Sequence, residues 1–339
     1  MKRVYVIALL LVLSAAPQAD SGPEIWFCPG PGTLDYPQLF EHPEEWRHAR
    51  EAVSVFKFYQ QHTSAVSDAV NGPNTYDALA RARAFSTVTA WGKKIALEVG
   101  AVKEFYCTPD ASGMNRAIAE TIASVQAVER AGGKVSYLAM DDPFAAGRAA
   151  VCGGPALEPT ADRIATYVKG VRAAGVGASI GMIEAYPFSS EAQIETMLDL
   201  LRARGAAPAF LHMDIDLNAI RVFRVDMTGD LRRLKAVCAG QHLPLGIIIW
   251  GNNGDADALY AADAGKLLNA VVDAFPTSSD LPDQIIVQSW AESRTGLRIT
   301  PTNLPEDVAF THTNLLWEFF RRLRGMTGPA SGTAVPRRH

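Results

Sequence analysis

Adjacent carboxylates follow an apolar segment near the middle of this 339-residue chain. The segment VSYLAMDDP leads into Asp141 and Asp142 and stops at Pro143. Two later segments of the same kind, ASIGMIEAYP and AFLHMDID, carry Glu184 and Asp214 near their ends. A pair of carboxyl groups, one protonated and one ionised, is what cleavage of a glycosidic bond requires. Crowding several carboxylates raises the pKa of at least one of them, which supplies the acid at neutral pH.

The segments that carry these carboxylates belong to a series of eight short apolar runs, which alternate with stretches of helical periodicity. This pattern is typical of parallel strands that are covered on both faces. The predicted strands are Ile25–Pro29, Val53–Tyr59, Ile95–Val99, the strand that begins at Val135, Ala178–Ala185, Phe210–Asp216, Leu245–Trp250 and Ile285–Trp290. Eight strand–helix units predict a (β/α)8 TIM barrel, whose usual length is about 250 residues. A doubly wound open sheet is the competing architecture, but Pro29-Gly30-Pro31-Gly32 is not the G-x-G-x-x-G turn typical of it.

In a TIM barrel the active site lies at the C-terminal ends of the strands, and alternate side chains point inward. Polar residues that alternate with apolar ones near these ends are therefore expected to line the mouth. Besides the four carboxylates already named, the expected mouth residues are Lys57, Glu98, His212, Asp216, Trp250, Asn252, Gln288, Trp290 and Glu292.

Some of these residues have a structural alternative. Lys57 and Glu98 fall on adjacent strands and favour an ion pair inside the barrel. Asp141 and Asp142 cannot both face the same way, so one of them is expected to cap the next segment. Trp250 and Trp290 end consecutive strands, which favours stacking on a sugar over core packing.

The runs MDDP, IEAYP and HMDID resemble the strand-end acids of TIM-barrel glycoside hydrolases, at the level of the superfamily and of no specific family. The resemblance implies a hydrolase that acts on an oligo- or polysaccharide without a cofactor. Asp142 and Glu184, on adjacent strands, are the leading catalytic pair, and Asp214 is the reserve. No Asn-Glu ends the fourth strand, and Trp250 stands where a glutamate would end the seventh, so the roles of acid and nucleophile stay open.

Two other functions remain open at this stage. Glu98, Glu184, His212, Asp214 and Asp216 are residue types that suit a divalent metal ion, as in a metal-dependent TIM-barrel enzyme. The chain has no H-x-H or H-E-x-x-H spacing, which counts against that class. The third hypothesis is a barrel that binds a glycan without cleaving it.

The N-terminus has the features of a secretory signal peptide, predicted over residues 1–16. Lys2 and Arg3 precede an apolar run and the small residues Ser14-Ala15-Ala16. The run is short for a membrane span, so a secreted or periplasmic protein is favoured over a retained anchor. We expect one barrel over residues 23–326 and a disordered tail over 327–339. A net charge of −4 gives no reason to expect a nucleic acid or a membrane as partner.

The chain has four cysteines. In an oxidising compartment some of them are expected to pair. Cys107 and Cys152 follow the third and fourth predicted strands, so their loops are neighbours, and we predict a disulfide between them. Cys28 and Cys238 are expected to be buried free thiols, although four reduced cysteines are the alternative.

Overall fold

The computed structural model describes residues 22–64, 72–296 and 299–327. The predicted signal peptide and nearly all of the predicted tail lie outside these residues. Eight parallel strands pair in chain order and close into a barrel, which confirms the predicted TIM barrel and excludes the open sheet. The strands are β1 (Glu24–Cys28), β2 (Val55–Tyr59), β3 (Lys94–Val99), β4 (Val135–Asp141), β5 (Ser179–Tyr186), β6 (Leu211–Ile215), β7 (Leu245–Ile249) and β8 (Gln284–Gln288).

Helices connect the strands and cover the outside of the barrel. They are α1 (Gln38–Glu41), α2 (Arg47–Ala52), α3 (Tyr76–Arg81), α4 (Ala84–Ala90), α5 (Ser112–Arg130), α6 (Pro143–Gly147), α7 (Leu157–Ala173), α8 (Glu191–Ala203), α9 (Leu217–Phe223), α10 (Met227–Gly240), α11 (Asp257–Ala274) and α12 (His312–Thr327). A two-stranded antiparallel sheet, β9 (Ala291–Glu292) and β10 (Ile299–Thr300), follows β8. None of the helices in the described ranges combines the length and apolar character that crossing a bilayer requires.

The core has two separate parts. The larger cluster fills the space between the strands and the helices. The smaller cluster takes one residue from each strand or its immediate start, which places it inside the barrel. Its members are Trp26, Val55, Ala96, Ala139, Ile183, Phe210, Ile248 and Ile286.

Glycines on two strands make room for the bulky residues in this inner layer. A Cβ at Gly181 of β5 would lie 2.4 Å from the Phe210 ring, and one at Gly246 of β7 would lie 2.5 Å from Cδ2 of His212. No side chain fits at such distances, so the barrel interior requires glycine at both positions.

Most element predictions are confirmed, with strand ends shifted by at most two residues. The disulfide between Cys107 and Cys152 is present, and Cys28 and Cys238 are buried free thiols. The connection after β4 contains the short helix α6, which was not predicted from the sequence. The sequence analysis also did not predict α9 after β6.

Candidate functional site

Strand alternation fixes which polar residues point into the barrel. Residues two or four positions beyond a member of the inner apolar cluster share its direction, toward the C-terminal end of the barrel. This set contains Lys57, Glu98, Asp141, His212, Asp214, Trp250, Gln288 and Trp290. We call the region at this end of the barrel the mouth.

Lys57, Glu98 and Gln288 form one hydrogen-bonded group on β2, β3 and β8. The ammonium of Lys57 lies 2.5 Å from Oε2 of Glu98, and Nε2 of Gln288 donates to the same oxygen at 3.0 Å. Lys57 is fully buried, and the charge of Glu98 raises its pKa against the opposing effect of burial. The expected interior ion pair is therefore present, and its glutamate lies at the mouth. Oε1 of Gln288 is buried without a hydrogen-bond partner among the described residues.

A second cation, Lys103, binds the two aspartates that follow β4. Its ammonium lies 2.9 Å from Oδ2 of Asp141 and 3.3 Å from Oδ2 of Asp142. Burial and the nearby charges of Glu98 and Asp142 raise the pKa of Asp141 to about 7, although Lys103 acts in the opposite direction. Asp142 precedes α6 with a left-handed backbone (φ 44°), and its side chain makes no capping hydrogen bond to that helix. The expected capping role is therefore wrong for Asp142, whose carboxylate converges with that of Asp141 on Lys103.

Asp214 on β6 has no cation in hydrogen-bond contact within the described residues. Its Oδ1 is buried without a partner. Burial, followed by the charges of Asp142, Asp141 and Glu98, raises the pKa of Asp214 well above its usual value, and Lys57 offsets only part of this. Burial and the neighbouring carboxylates thus favour the protonated form of Asp214, which can donate a hydrogen bond.

The expectation that Glu184 faces the mouth is wrong. Glu184 shares its side of β5 with Met182 and Tyr186, which belong to the cluster between the strands and the helices. Its buried carboxyl group accepts hydrogen bonds from the backbone N–H groups of Phe144 at 2.8 Å and Ala145 at 3.3 Å, which oppose the rise in its pKa that burial causes. Glu184 thus satisfies two free N–H groups at the start of α6.

His212 points inward but lies below the mouth. Its Nε2 is 2.7 Å from Oε1 of Gln284, and its ring packs edge-on against Trp26. Burial lowers its pKa to about 3, so the imidazole is neutral. The structure thus places it in the inner core, away from the position expected for a sugar contact.

Trp250 and Trp290 pack against each other beyond the ends of β7 and β8. Their ring centroids are 4.5 Å apart, and the planes are inclined by 36°. Both side chains are half-buried, and Nε1 of Trp250 is a buried donor without a partner in the described structure. The pair offers an apolar face and an unused hydrogen-bond donor at the mouth.

Asp216, Asn252 and Glu292 lie at the rim of the mouth. Oδ1 of Asp216 accepts from the backbone N–H groups of Asn218 and Ala219 and caps α9, and it also accepts from Nδ2 of Asn252 at 3.1 Å. Asn252 and Glu292 border a shallow cleft of about 340 Å³. Asp216 is therefore a capping residue, while the other two line a separate depression.

A larger cavity of about 780 Å³ opens on the side of the mouth formed by β2, β3 and β4. Glu98, Lys103 and Asp141 line it, together with the aromatic rings of Phe105 and Tyr106. Lys103 was not among the expected mouth residues, because it lies in a loop after β3, where strand alternation has no predictive value. Its position four residues before Cys107 was the available signal.

No family model matches this chain, and no curated protein sequence is detectably similar to it. Solved structures do resemble its fold. An endo-β-1,6-glucanase aligns with 88% of this chain and 76% of its own, at 11% identity and a TM-score of 0.57. A GH5_18 protein from Streptomyces cattleya, solved in complex with GlcNAc, aligns with 93% of this chain and 82% of its own, at 12% identity and a TM-score of 0.52. At these identities the likeness establishes the TIM-barrel fold, which glycoside hydrolases share with many other enzymes.

Within the described ranges, no group of three or more His, Cys, Asp or Glu side chains is arranged to hold a metal ion. Glu98, Asp141 and Asp142 instead have ammonium groups as partners, from Lys57 and Lys103. The arrangement is thus suited to moving a proton between carboxyl groups of different pKa.

Proposed function

We propose that this protein is a glycoside hydrolase that cleaves a glycosidic bond with two carboxyl groups at the mouth of its barrel. The proposal depends above all on Asp214. This carboxyl has a buried oxygen without a partner among the described residues, and burial followed by the charges of Asp142, Asp141 and Glu98 raises its pKa. A carboxyl kept protonated at neutral pH is what protonation of a leaving-group oxygen requires.

The contacts of the two inward aspartates assign different roles to them. Asp214 has no cation in contact among the described residues, so its raised pKa favours the protonated form, and it acts as the general acid. Asp141 lies 2.9 Å from Lys103, so it is the first of the two to ionise, and it acts as the nucleophile or base. Asp142 adds negative charge beside both. This pair replaces the pair Asp142 and Glu184 expected from sequence, because Glu184 points toward the helices and binds the start of α6.

The substrate we propose is an oligo- or polysaccharide. Trp250 and Trp290 supply apolar ring surface for the face of a sugar, and the unused N–H of Trp250 and carbonyl of Gln288 match its hydroxyl groups. Of the two solved structures described above, one is a glucanase and the other is a complex with the sugar GlcNAc. We also propose export through the segment 1–16, since the disulfide is of the kind that persists in oxidising compartments.

The test compares three single variants on substrates that differ in their leaving group. After a glycan panel has identified a substrate, Asp214→Asn is expected to lose about 10²–10⁴-fold in kcat on it. On an aryl glycoside with an acidic phenol as leaving group, Asp214→Asn is expected to lose far less, because that group leaves without a proton. Asp141→Asn is expected to lose activity on both substrates.

Glu184→Gln is the matched control, since it removes a carboxylate from β5 but keeps an acceptor for α6. We expect it to retain turnover when folded. Equal losses for Asp214→Asn on both substrates would contradict its role as acid. Binding of a glycan without turnover on any panel member would favour the non-catalytic alternative.

A further inference from the structure

Lys103 is held at the mouth although its side chain is long and flexible. A long, flexible lysine side chain loses rotamer entropy when it is fixed in one position. Its ammonium nevertheless contacts both Asp141 and Asp142, and only 20% of the side chain is exposed. Something must therefore hold its backbone close to β4.

The disulfide between Cys107 and Cys152 provides this link. Cys107 is four residues after Lys103 in the β3 loop, and Cys152 belongs to the β4 loop, with 5.1 Å between the two Cα atoms. Arg163 of α7 reinforces the junction, since its Nη1 donates to the carbonyl oxygen of Cys152 at 2.6 Å. The start of the β3 loop is fixed separately, because the N–H of Gly100 donates to Oε1 of Gln60 at 2.9 Å.

We propose that Lys103 is a positioning residue that places a cation against Asp141, and that the Cys107–Cys152 disulfide holds it there by joining the β3 and β4 loops. This inference rests on the proposed function for its catalytic meaning, but the link between disulfide, lysine and aspartate is a property of the fold. Without Lys103, the charges left around Asp141 are mainly carboxylates.

The charges around Asp141 come from several strands. Glu98 on β3, Asp142 after β4 and Asp214 on β6 are acidic, while Lys57 on β2 and Lys103 are basic. On the outer side of β5, burial and the charge of Asp142 raise the pKa of Glu184. Since Lys57 already pairs with Glu98 at 2.5 Å, Lys103 is the cation in contact with Asp141 among the described residues.

The sign of the effect follows from these contacts. A cation within hydrogen-bond distance favours the ionised carboxylate and lowers its pKa by about 1–3 units. The pKa of Asp141 is about 7 with Lys103 in place, so removal of the ammonium moves it upward. A reaction that needs ionised Asp141 then requires a higher pH.

The experiment is a ¹³C NMR titration of the aspartate carboxyl carbons, with the Asp141 signal assigned by its loss in Asp141→Asn. In Lys103→Met we expect the Asp141 midpoint to rise by about one unit or more. Lys103→Arg restores the cation and is expected to return the midpoint toward the wild-type value. Lys94→Met is the matched control, because Lys94 lies at the opposite end of the barrel, where its Nζ is 3.0 Å from Oε1 of Glu24. This variant should leave the Asp141 midpoint unchanged.

The role of the disulfide is tested by the double variant Cys107→Ser with Cys152→Ser, in which we expect the midpoint to move in the same direction as in Lys103→Met. If that variant fails to fold, the alanine pair, which buries no hydroxyl, takes its place. An unchanged midpoint in folded Lys103→Met would overturn the role of the lysine, and an unchanged midpoint in the folded disulfide variants would overturn that of the disulfide.

Activity separates this inference from the proposed function. If the enzyme cleaves a glycan, the acid limb of kcat/KM is expected to move upward with the midpoint in Lys103→Met. If the midpoints move as expected in a protein that cleaves no glycan, the proposed function fails and the lysine–disulfide link stands.

Discussion

At the scale of single residues, the side of a strand on which a carboxylate falls decides its role. Asp141 and Asp214 share the inner side with Trp250 and meet at the mouth. Glu184, on a strand between theirs, points outward and binds backbone N–H groups at the start of α6. All three side chains end in a carboxyl group, so only the direction in which the side chain points separates an acid–base group from a structural one.

This direction could be predicted for some residues and not for others. Lys57 and Glu98 alternate with large apolar residues, and their inward direction and mutual pairing were expected. Glu184 lies in IGMIEAY, where apolar residues occupy both sides of the strand. In a parallel strand covered on both faces the pattern is continuous, so alternation cannot show which side faces inward.

The structural role of Glu184 leads to a prediction about stability. Glu184→Ala leaves the N–H groups of Phe144 and Ala145 without an acceptor and is expected to cost about 1–3 kcal/mol in the free energy of unfolding. Glu184→Gln keeps an acceptor oxygen and is expected to cost less. Chemical denaturation of both variants, followed by circular dichroism, measures the difference. Full stability of Glu184→Ala combined with loss of turnover would instead place Glu184 in the chemistry.

At the scale of elements, the loops after β3 and β4 form the most constrained part of the mouth. The β3 loop carries Lys103, the β4 loop carries Asp142 and α6, and the disulfide joins them. The pairing of Cys107 with Cys152 followed from their places after neighbouring strands. Helices α6 and α9 could not be predicted in the same way, because five and seven residues are too few to show helical periodicity.

The disulfide is expected to stabilise the fold as well as the site. Its sequence separation of 45 residues corresponds to about 4 kcal/mol of loop-closure entropy in the unfolded chain. The alanine pair at Cys107 and Cys152 should therefore lower the free energy of unfolding by about 2–4 kcal/mol in urea denaturation. Cys238→Ala is the control, since that thiol is buried and unpaired and closes no loop. An equal loss in both proteins would show that packing, and not the cross-link, accounts for the effect.

At the scale of the whole molecule, the apolar surface is concentrated at the end of the barrel that carries the candidate site. The large apolar side chains that remain exposed in the described ranges all follow a strand, either before the next long helix or in its first turn. They are Leu34, Phe105, Val151, Phe188, Val222, Phe223, Leu259, Val308 and Phe310. Loops at this end are where TIM barrels bind their substrates, so the distribution agrees with a mouth that contacts a ligand larger than one sugar.

The barrel itself was predictable because eight apolar runs at regular spacing have few other architectures available to them. The reaction was harder to predict than the fold, because TIM barrels catalyse many different reactions. The two similar solved structures are only 11% and 12% identical to this chain. The features that favour a glycosidase belong to the site itself, where carboxyl groups of raised pKa and a tryptophan pair lie at the same end of the barrel.

The proposed glycosidase activity requires that water cleaves a glycosidic bond at this mouth. Its most direct test is digestion of a defined oligosaccharide in ¹⁸O-labelled water, with mass spectrometry of the products. We expect one ¹⁸O atom at each new reducing end, the same yield in the presence of EDTA, and no label above background with Asp214→Asn. Products without label, a yield abolished by EDTA and restored by a divalent metal, or unchanged labelling in folded Asp214→Asn would contradict the account.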